Sequence, residues 1–220
     1  MCEVTKGRVK EIIRILKQTY PDARTSLSFA APFQLLIATI LSAQCTDAKV
    51  NEVTKTLFKK YPKAADFANA DPRDLEQDIH ATGFFRQKAK AIIEGSQDIV
   101  SNYEGKLPAT LEELTKLRGV GRKTANVVLG NAFGKPAIAV DTHVLRLSGR
   151  LKLTDPKYAA RKQAGKVEQD LMKIVPRKDW ALFSHLLIYL GRNICTARKP
   201  RHDICPILSL CPTGKAEMAE

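Results

Sequence analysis

The chain has 220 residues, 44% of them hydrophobic and 27% charged, and its 36 Lys and Arg against 23 Asp and Glu give a formal charge of +13. That apolar content excludes a disordered chain, fits one or two globular domains, and nowhere reaches the roughly 20 uninterrupted apolar residues of a membrane span. The basic excess favours a polyanionic partner, since each Lys or Arg that neutralises a phosphate releases a counterion.

The N-terminal stretch MCEVTKGRVK lacks the apolar segment of a secretory signal. The protein is therefore expected in a reducing cytoplasm, with its five cysteines as thiols or ligands. Val9, Ile12, Ile13 and Leu16 form a helical stripe ended by Tyr20-Pro21. The apolar run from Ala30 to Ala43, interrupted by Pro32, Gln34, Thr39 and Ser42, reads as a buried helix. Val50, Val53, Leu57 and Tyr61 form the next stripe, ended by Pro62. Asp71-Pro72 supplies an N-cap and a proline at the first helical position ahead of Leu75 and Ile79. A helix from Gln87 is predicted to bury Ala89, Ile92, Ile93, Ser96 and Val100. Thr110 to Glu113 reads as a capping box, with Leu111, Leu114 and Leu117 facing the core. Asp141 opens a helix to about Arg150, and Asp155-Pro156 opens one through Val167, Leu171 and Ile174. Asp179 to Leu190 is the last long helix. No period-2 alternation of useful length interrupts this pattern, so the fold class is all-α.

Between two of these helices stands Gly119-Val120-Gly121. Glycines there can supply positive φ and let backbone N–H groups crowd together at the start of the following helix, a geometry that binds phosphate. From Leu114 to Val140 no acidic residue occurs, while Lys116, Arg118, Arg122, Lys123 and Lys135 are all basic. By spacing alone Lys123 is a solvated helix lysine and Asp141 an ordinary N-cap. Cys195, Cys205 and Cys211 cluster near the C-terminus, which suggests a metal, while Cys2 and Cys45 stand apart.

The segment 117–126, Leu-Arg-Gly-Val-Gly-Arg-Lys-Thr-Ala-Asn, resembles the helix-hairpin-helix of the DNA glycosylase superfamily, and Val140 to Val144 is similar to the Asp segment that follows it. Leu41 to Asp47, Thr82 to Ala89 and the cysteine-rich tail extend the resemblance along nearly the whole chain, and the family it points to is endonuclease III. The resemblance implies two helical domains with a C-terminal metal-cluster loop. One is a six-helix barrel-like domain of residues 25–136, and the other is formed by residues 1–24 plus 137–220. It implies a bifunctional DNA glycosylase and abasic-site lyase that removes oxidised pyrimidines in base-excision repair, needing neither a redox cofactor nor a divalent metal for the chemistry. The partner implied is double-stranded DNA with damaged bases or abasic sites, met by a monomer in a bacterial-type cytoplasm.

The roles follow residue by residue from the same resemblance. Lys123 is the nucleophile, which attacks the sugar C1′ and holds the sugar as a Schiff base whose charge acidifies the C2′ proton. An attacking lysine must first lose its proton, and the positive end of a helix and a neighbouring Arg122 both disfavour the ammonium form. Asp141 steadies the developing positive charge and helps to move protons. The target base must leave the stack, with the gap filled by inserted side chains. Gln44 and Phe84 match the inserting positions, although Phe84 stands where the family usually has Leu, and by residue type alone Phe84 equally suits core packing. Ser42 and Asp47 are expected to line the same pocket. Gly119, Gly121 and Arg122 are expected at DNA phosphates, as are Arg198, Lys199 and Arg201 of the tail.

The tail reads C-x6-H-x2-C-x5-C through Cys195, His202, Cys205 and Cys211, where the family has four cysteines around a [4Fe–4S] cluster at the same intervals. One ligand has changed. A [4Fe–4S] cluster with His202 as an atypical ligand, a three-iron cluster, and Zn2+ in a Cys3His tetrahedron all satisfy the donor set. The kept intervals favour the cluster. Two rival functions remain open: a monofunctional adenine-type DNA glycosylase, a branch that lacks this lysine, and a non-catalytic DNA-binding module, which has no need of the Lys123 and Asp141 pair.

Overall fold

The computed structural model describes residues 5–219, so Cys2 lies outside the described residues. Among them are thirteen α-helices, three short 3-10 turns and no strand. The chain divides into two compact units, one from Ser26 to Lys135 and the other built from the segments before and after it.

The Ser26–Lys135 unit holds α2 (Pro32–Leu41), α3 (Asp47–Lys60), α4 (Ala64–Ala68), α5 (Pro72–Asp78), α6 (Phe85–Tyr103), α7 (Leu111–Leu114) and α8 (Arg122–Ala132). Pro32 starts α2 at a position where its missing N–H costs nothing. Six of the ten residues of α2 are buried, so it forms the centre against which α3, α6 and α8 pack. Phe67 of α4 fills the adjoining space, with ring centroids 5.6 Å from Phe33 and 4.9 Å from Tyr61, separations typical of favourable aromatic pairs.

The other unit holds α1 (Lys6–Thr19), α9 (Thr142–Arg150), α10 (Pro156–Ala160), α11 (Ala164–Ile174), α12 (Trp180–Asn193) and α13 (Pro212–Ala219). The stripe Val9, Ile12, Ile13 and Leu16 packs in one core with Val144, Leu147, Val167, Leu171, Phe183, Leu186 and Leu190.

Several local expectations are revised. Helix α6 begins at Phe85 rather than Gln87, and its buried face ends on Ile99, leaving Val100 38% exposed. The single helix expected from Pro156 is two, because Lys162 takes a left-handed φ of 55° and the Gln163 amide turns back to the Tyr158 carbonyl at 2.8 Å. At the expected capping box, the Thr110 hydroxyl accepts from the Glu113 amide at 3.2 Å and donates to the Glu113 carboxylate at 2.7 Å. The carboxylate is thus spent on the hydroxyl. A 3-10 turn, Arg177–Asp179, precedes α12, where Asp179 accepts from Lys17 at 2.7 Å in place of capping.

Candidate nucleic-acid interface and metal centre

Only Gly119 of the two hairpin glycines needs its conformational freedom, with φ at 78°, whereas Gly121 sits at −84° as the N-cap of α8. A Cβ at Gly119 would stand 2.6 Å from Ala91 Cβ, and one at Gly95 would stand 2.8 Å from the Arg118 carbonyl oxygen. Ala91, Gly95 and Asp98 recur at helical spacing along α6. They form the seat on which the turn rests. The Asp98 carboxylate accepts from the Arg118 amide at 2.8 Å and from its guanidinium at 2.9 Å. The Arg118 guanidinium holds the Asp98 carboxyl below the usual carboxylate range.

Arg118 therefore pins the hairpin to α6, and Lys135 donates to the Ala109 carbonyl at 2.7 Å. On sequence alone both stand among the anion-attracting charges. Arg122 and Lys123 are exposed on the first turn of α8. Gly119→Ala is expected to destabilise this unit by about 2–4 kcal/mol, from strain at positive φ added to the clash with Ala91. Gly121→Ala, with nothing within 4 Å of its Cβ, is expected to cost far less. Thermal unfolding of the two variants makes the comparison.

Gln44 and Phe84 lie on two loops of the same unit, each exposed and each in left-handed backbone, with φ of 53° and 48°. Phe84 is 58% exposed, so core packing is not its role. Ser42 and Asp47 are occupied locally: the Ser42 hydroxyl donates to the Thr39 carbonyl at 2.8 Å, and Asp47 accepts from the Ser26 hydroxyl. Cys45 is a free, partly buried thiol.

Asp141 caps α9 in the other unit, accepting from the Val144 amide at 2.8 Å. Burial pushes the imidazoles of His143 and His185 down, and the Asp141 charge opposes the shift in each, joined at His143 by a backbone hydrogen bond with Gly191. His185, which carries no readable signal in the sequence, is thus a neighbour of Asp141 in charge terms.

Cys195, His202, Cys205 and Cys211 all line one pocket, whose walls include Leu147, Leu151, Leu190 and Ile207. Among the described residues no three His, Cys, Asp or Glu side chains converge on a point where a single ion would sit. The sulfurs already meet donors: Arg150 Nη1 lies 3.1 Å from Cys195 Sγ, and the Gly214 amide lies 3.3 Å from Cys211 Sγ. Burial pushes the Cys205 and Cys211 thiols up, so binding a metal there releases their protons. Arg150 also donates to the Thr196 and Ala197 carbonyls at 2.7 and 2.9 Å, fixing the start of the loop. Arg201 is turned back onto the Asn193 carbonyl, while Arg198 and Lys199 are exposed.

Comparison with known proteins decides the family. Residues 37–177 match the HhH-GPD superfamily of base excision DNA repair proteins, and residues 195–211 match the iron–sulfur binding domain of endonuclease III. The chain is 51% identical to endonuclease III of Synechocystis sp. over 96% of its own length and 94% of the relative's. It is 49% identical to that of Bacillus subtilis, over 89% and 88%. This chain belongs to the endonuclease III family. A solved structure of a trapped endonuclease III–DNA covalent intermediate, an estranged-adenine complex, superposes with a TM-score of 0.90 at 44% identity, covering 98% of this chain and all of that one. As a member of that family the chain is a DNA glycosylase and abasic-site lyase of base-excision repair, and its cofactor is a [4Fe–4S] cluster. The tail fits that group in donor type, in the N–H donors that meet two of its sulfurs, and in the apolar pocket the ligands share. No described helix is long and apolar enough to cross a membrane.

Proposed function

We propose that this chain binds double-stranded DNA as a monomer in the bacterial cytoplasm and excises oxidised pyrimidines, with Lys123 as nucleophile and Asp141 as its partner. The observation that carries this reading is the hairpin, seated on α6 through Ala91, Gly95 and Asp98, which leaves Lys123 exposed at the start of α8. The Lys123 amine adds to C1′ as the glycosidic bond breaks, and the base leaves with the bonding electrons and takes up a proton. The nitrogen loses a proton, the sugar ring opens, and the sugar is held as a protonated Schiff base. Its charge acidifies C2′–H. Loss of that proton expels the 3′ phosphate by β-elimination, and water then releases Lys123. Asp141 steadies the oxocarbenium charge and relays protons. Gln44 and Phe84 fill the space left by the flipped nucleotide. Gly119, Gly121 and Arg122, with Arg198, Lys199 and Arg201, meet the phosphates.

Duplex DNA with a single thymine glycol tests the reading. Base release and strand scission are expected to rise together in single-turnover assays. Base release without scission at any time would contradict the lyase half, and no release would contradict the substrate class.

Cys195, Cys205 and Cys211 would hold the cluster as thiolates, and His202 would supply the fourth ligand through its Nδ1 nitrogen. His202 Nε2 is already paired with the Glu217 carboxylate at 2.7 Å. A Cβ at Gly214 would lie 3.0 Å from His202 Nδ1 and 3.4 Å from Cys211 Sγ, so that nitrogen and that sulfur share one side of the pocket. Held by these four side chains, a cluster would cross-link the loop that carries Arg198 and Lys199. Exchange of imidazole for thiolate lowers the potential of an iron–sulfur centre, so His202→Cys is expected to lower it by on the order of 100 mV. Electrochemistry of the two purified proteins reads this, and equal potentials would remove His202 from the ligand set.

A further inference from the structure

Lys88 is one of the few charged side chains in the core, only 5% exposed on α6. Its ammonium donates to the Leu41 carbonyl at 2.7 Å and to the Thr82 carbonyl at 2.8 Å. Leu41 ends α2, and Thr82 ends the 3-10 turn His80–Thr82. The chain leaves the first carbonyl into Ser42, Ala43 and Gln44, and the second into Gly83 and Phe84. One nitrogen thus holds the roots of both loops whose exposed residues stand in left-handed backbone. Such backbone in a large side chain persists only where the surroundings fix it. Burial pushes the lysine toward its neutral form, and a neutral amine still carries enough N–H groups for both carbonyls.

We infer that Lys88 is a positioning residue that fixes the two loops at one separation, so that Gln44 and Phe84 enter duplex DNA together as a preformed wedge. The inference rests on the reading of Gln44 and Phe84 as inserting residues. Without the clamp each loop root moves independently, and displacements near 1 Å in a positioned site cost on the order of a hundredfold in rate. The wedge matters only where an opposite strand leaves a gap to be filled once the nucleotide has turned out of the duplex. Lys88 therefore acts on duplex substrate and has little bearing on an abasic site in a single strand.

The test compares borohydride trapping on a duplex abasic site with trapping on the same strand alone, in wild type, Lys88→Met and Lys88→Arg. The arginine variant keeps charge and donors but not the span between the two carbonyls, and it carries the test if Lys88→Met does not fold. Both variants are expected to lower the duplex-to-single-strand ratio at least tenfold. A 2-aminopurine beside the site is expected to show a correspondingly smaller fluorescence rise on binding. A folded Lys88 variant with the wild-type ratio and fluorescence would overturn the inference. Gln44→Ala/Phe84→Ala is measured in parallel. If that double variant keeps the wild-type ratio, the wedge itself is wrong and the clamp falls with it; if the double variant drops and the Lys88 variants do not, only the clamp is wrong.

Discussion

Replacing Lys123 by alanine is expected to lower strand scission by at least about a thousandfold, the scale on which loss of a catalytic nucleophile is felt. Base release should fall as well, but by less. Water can still attack C1′ once the site has drawn the base out, whereas it cannot form the iminium that acidifies C2′. The ratio of scission to release is therefore the sharper signature. The fold should survive, since Lys123 is exposed on the first turn of α8 and alanine is a good helix former. Duplex binding should remain within a few-fold, because the other phosphate contacts are kept. Single-turnover gels with enzyme in excess, together with a binding titration, separate the two effects. Unchanged scission in Lys123→Ala would place the nucleophile elsewhere.

Asp141 offers the second large effect and a clean separation of two roles. Its carboxylate accepts from the Val144 amide at 2.8 Å, and asparagine caps a helix about as well as aspartate does. Asp141→Asn should therefore keep stability within about 0.5 kcal/mol while removing the charge and the proton relay. Turnover is expected to drop by about 10²–10⁴. Asp141→Ala should lose turnover similarly and also about 1 kcal/mol of stability, the usual cost of a lost cap. Paired melting curves and rates for the two variants decide the matter. An asparagine variant with full activity would leave Asp141 a helix cap alone.

Sequence patterning gave the helical class and most of the core, because stripes such as Val9, Ile12, Ile13 and Leu16 bury as a unit. It also marked the hairpin, since a close approach to α6 demands glycine at position 119. What it missed were partnerships between residues distant in the chain. Arg118 looks like one more free cation until Asp98, twenty residues earlier, is found beneath it. Lys88 looks like a solvated helix lysine, yet the carbonyls it serves close two separate elements, α2 and the 3-10 turn His80–Thr82. Glu217 gives no hint in the sequence that it reaches His202. The stretch between Ala160 and Val167 has only the small Ala164 as an apolar residue, too little to set a period, so the break between α10 and α11 rests on the backbone at Lys162. Phe84 misleads in the opposite direction, because a large aromatic is ordinarily buried and this one is 58% exposed.

The proposed covalent bond between Lys123 and the sugar can be caught in the act. Borohydride reduction during turnover on a thymine glycol duplex, followed by proteolysis and mass mapping of the adduct, tests it directly. The sugar remnant is expected on Lys123, with trypsin unable to cut after that residue. An adduct on any other residue, or none at all while scission proceeds, would contradict it.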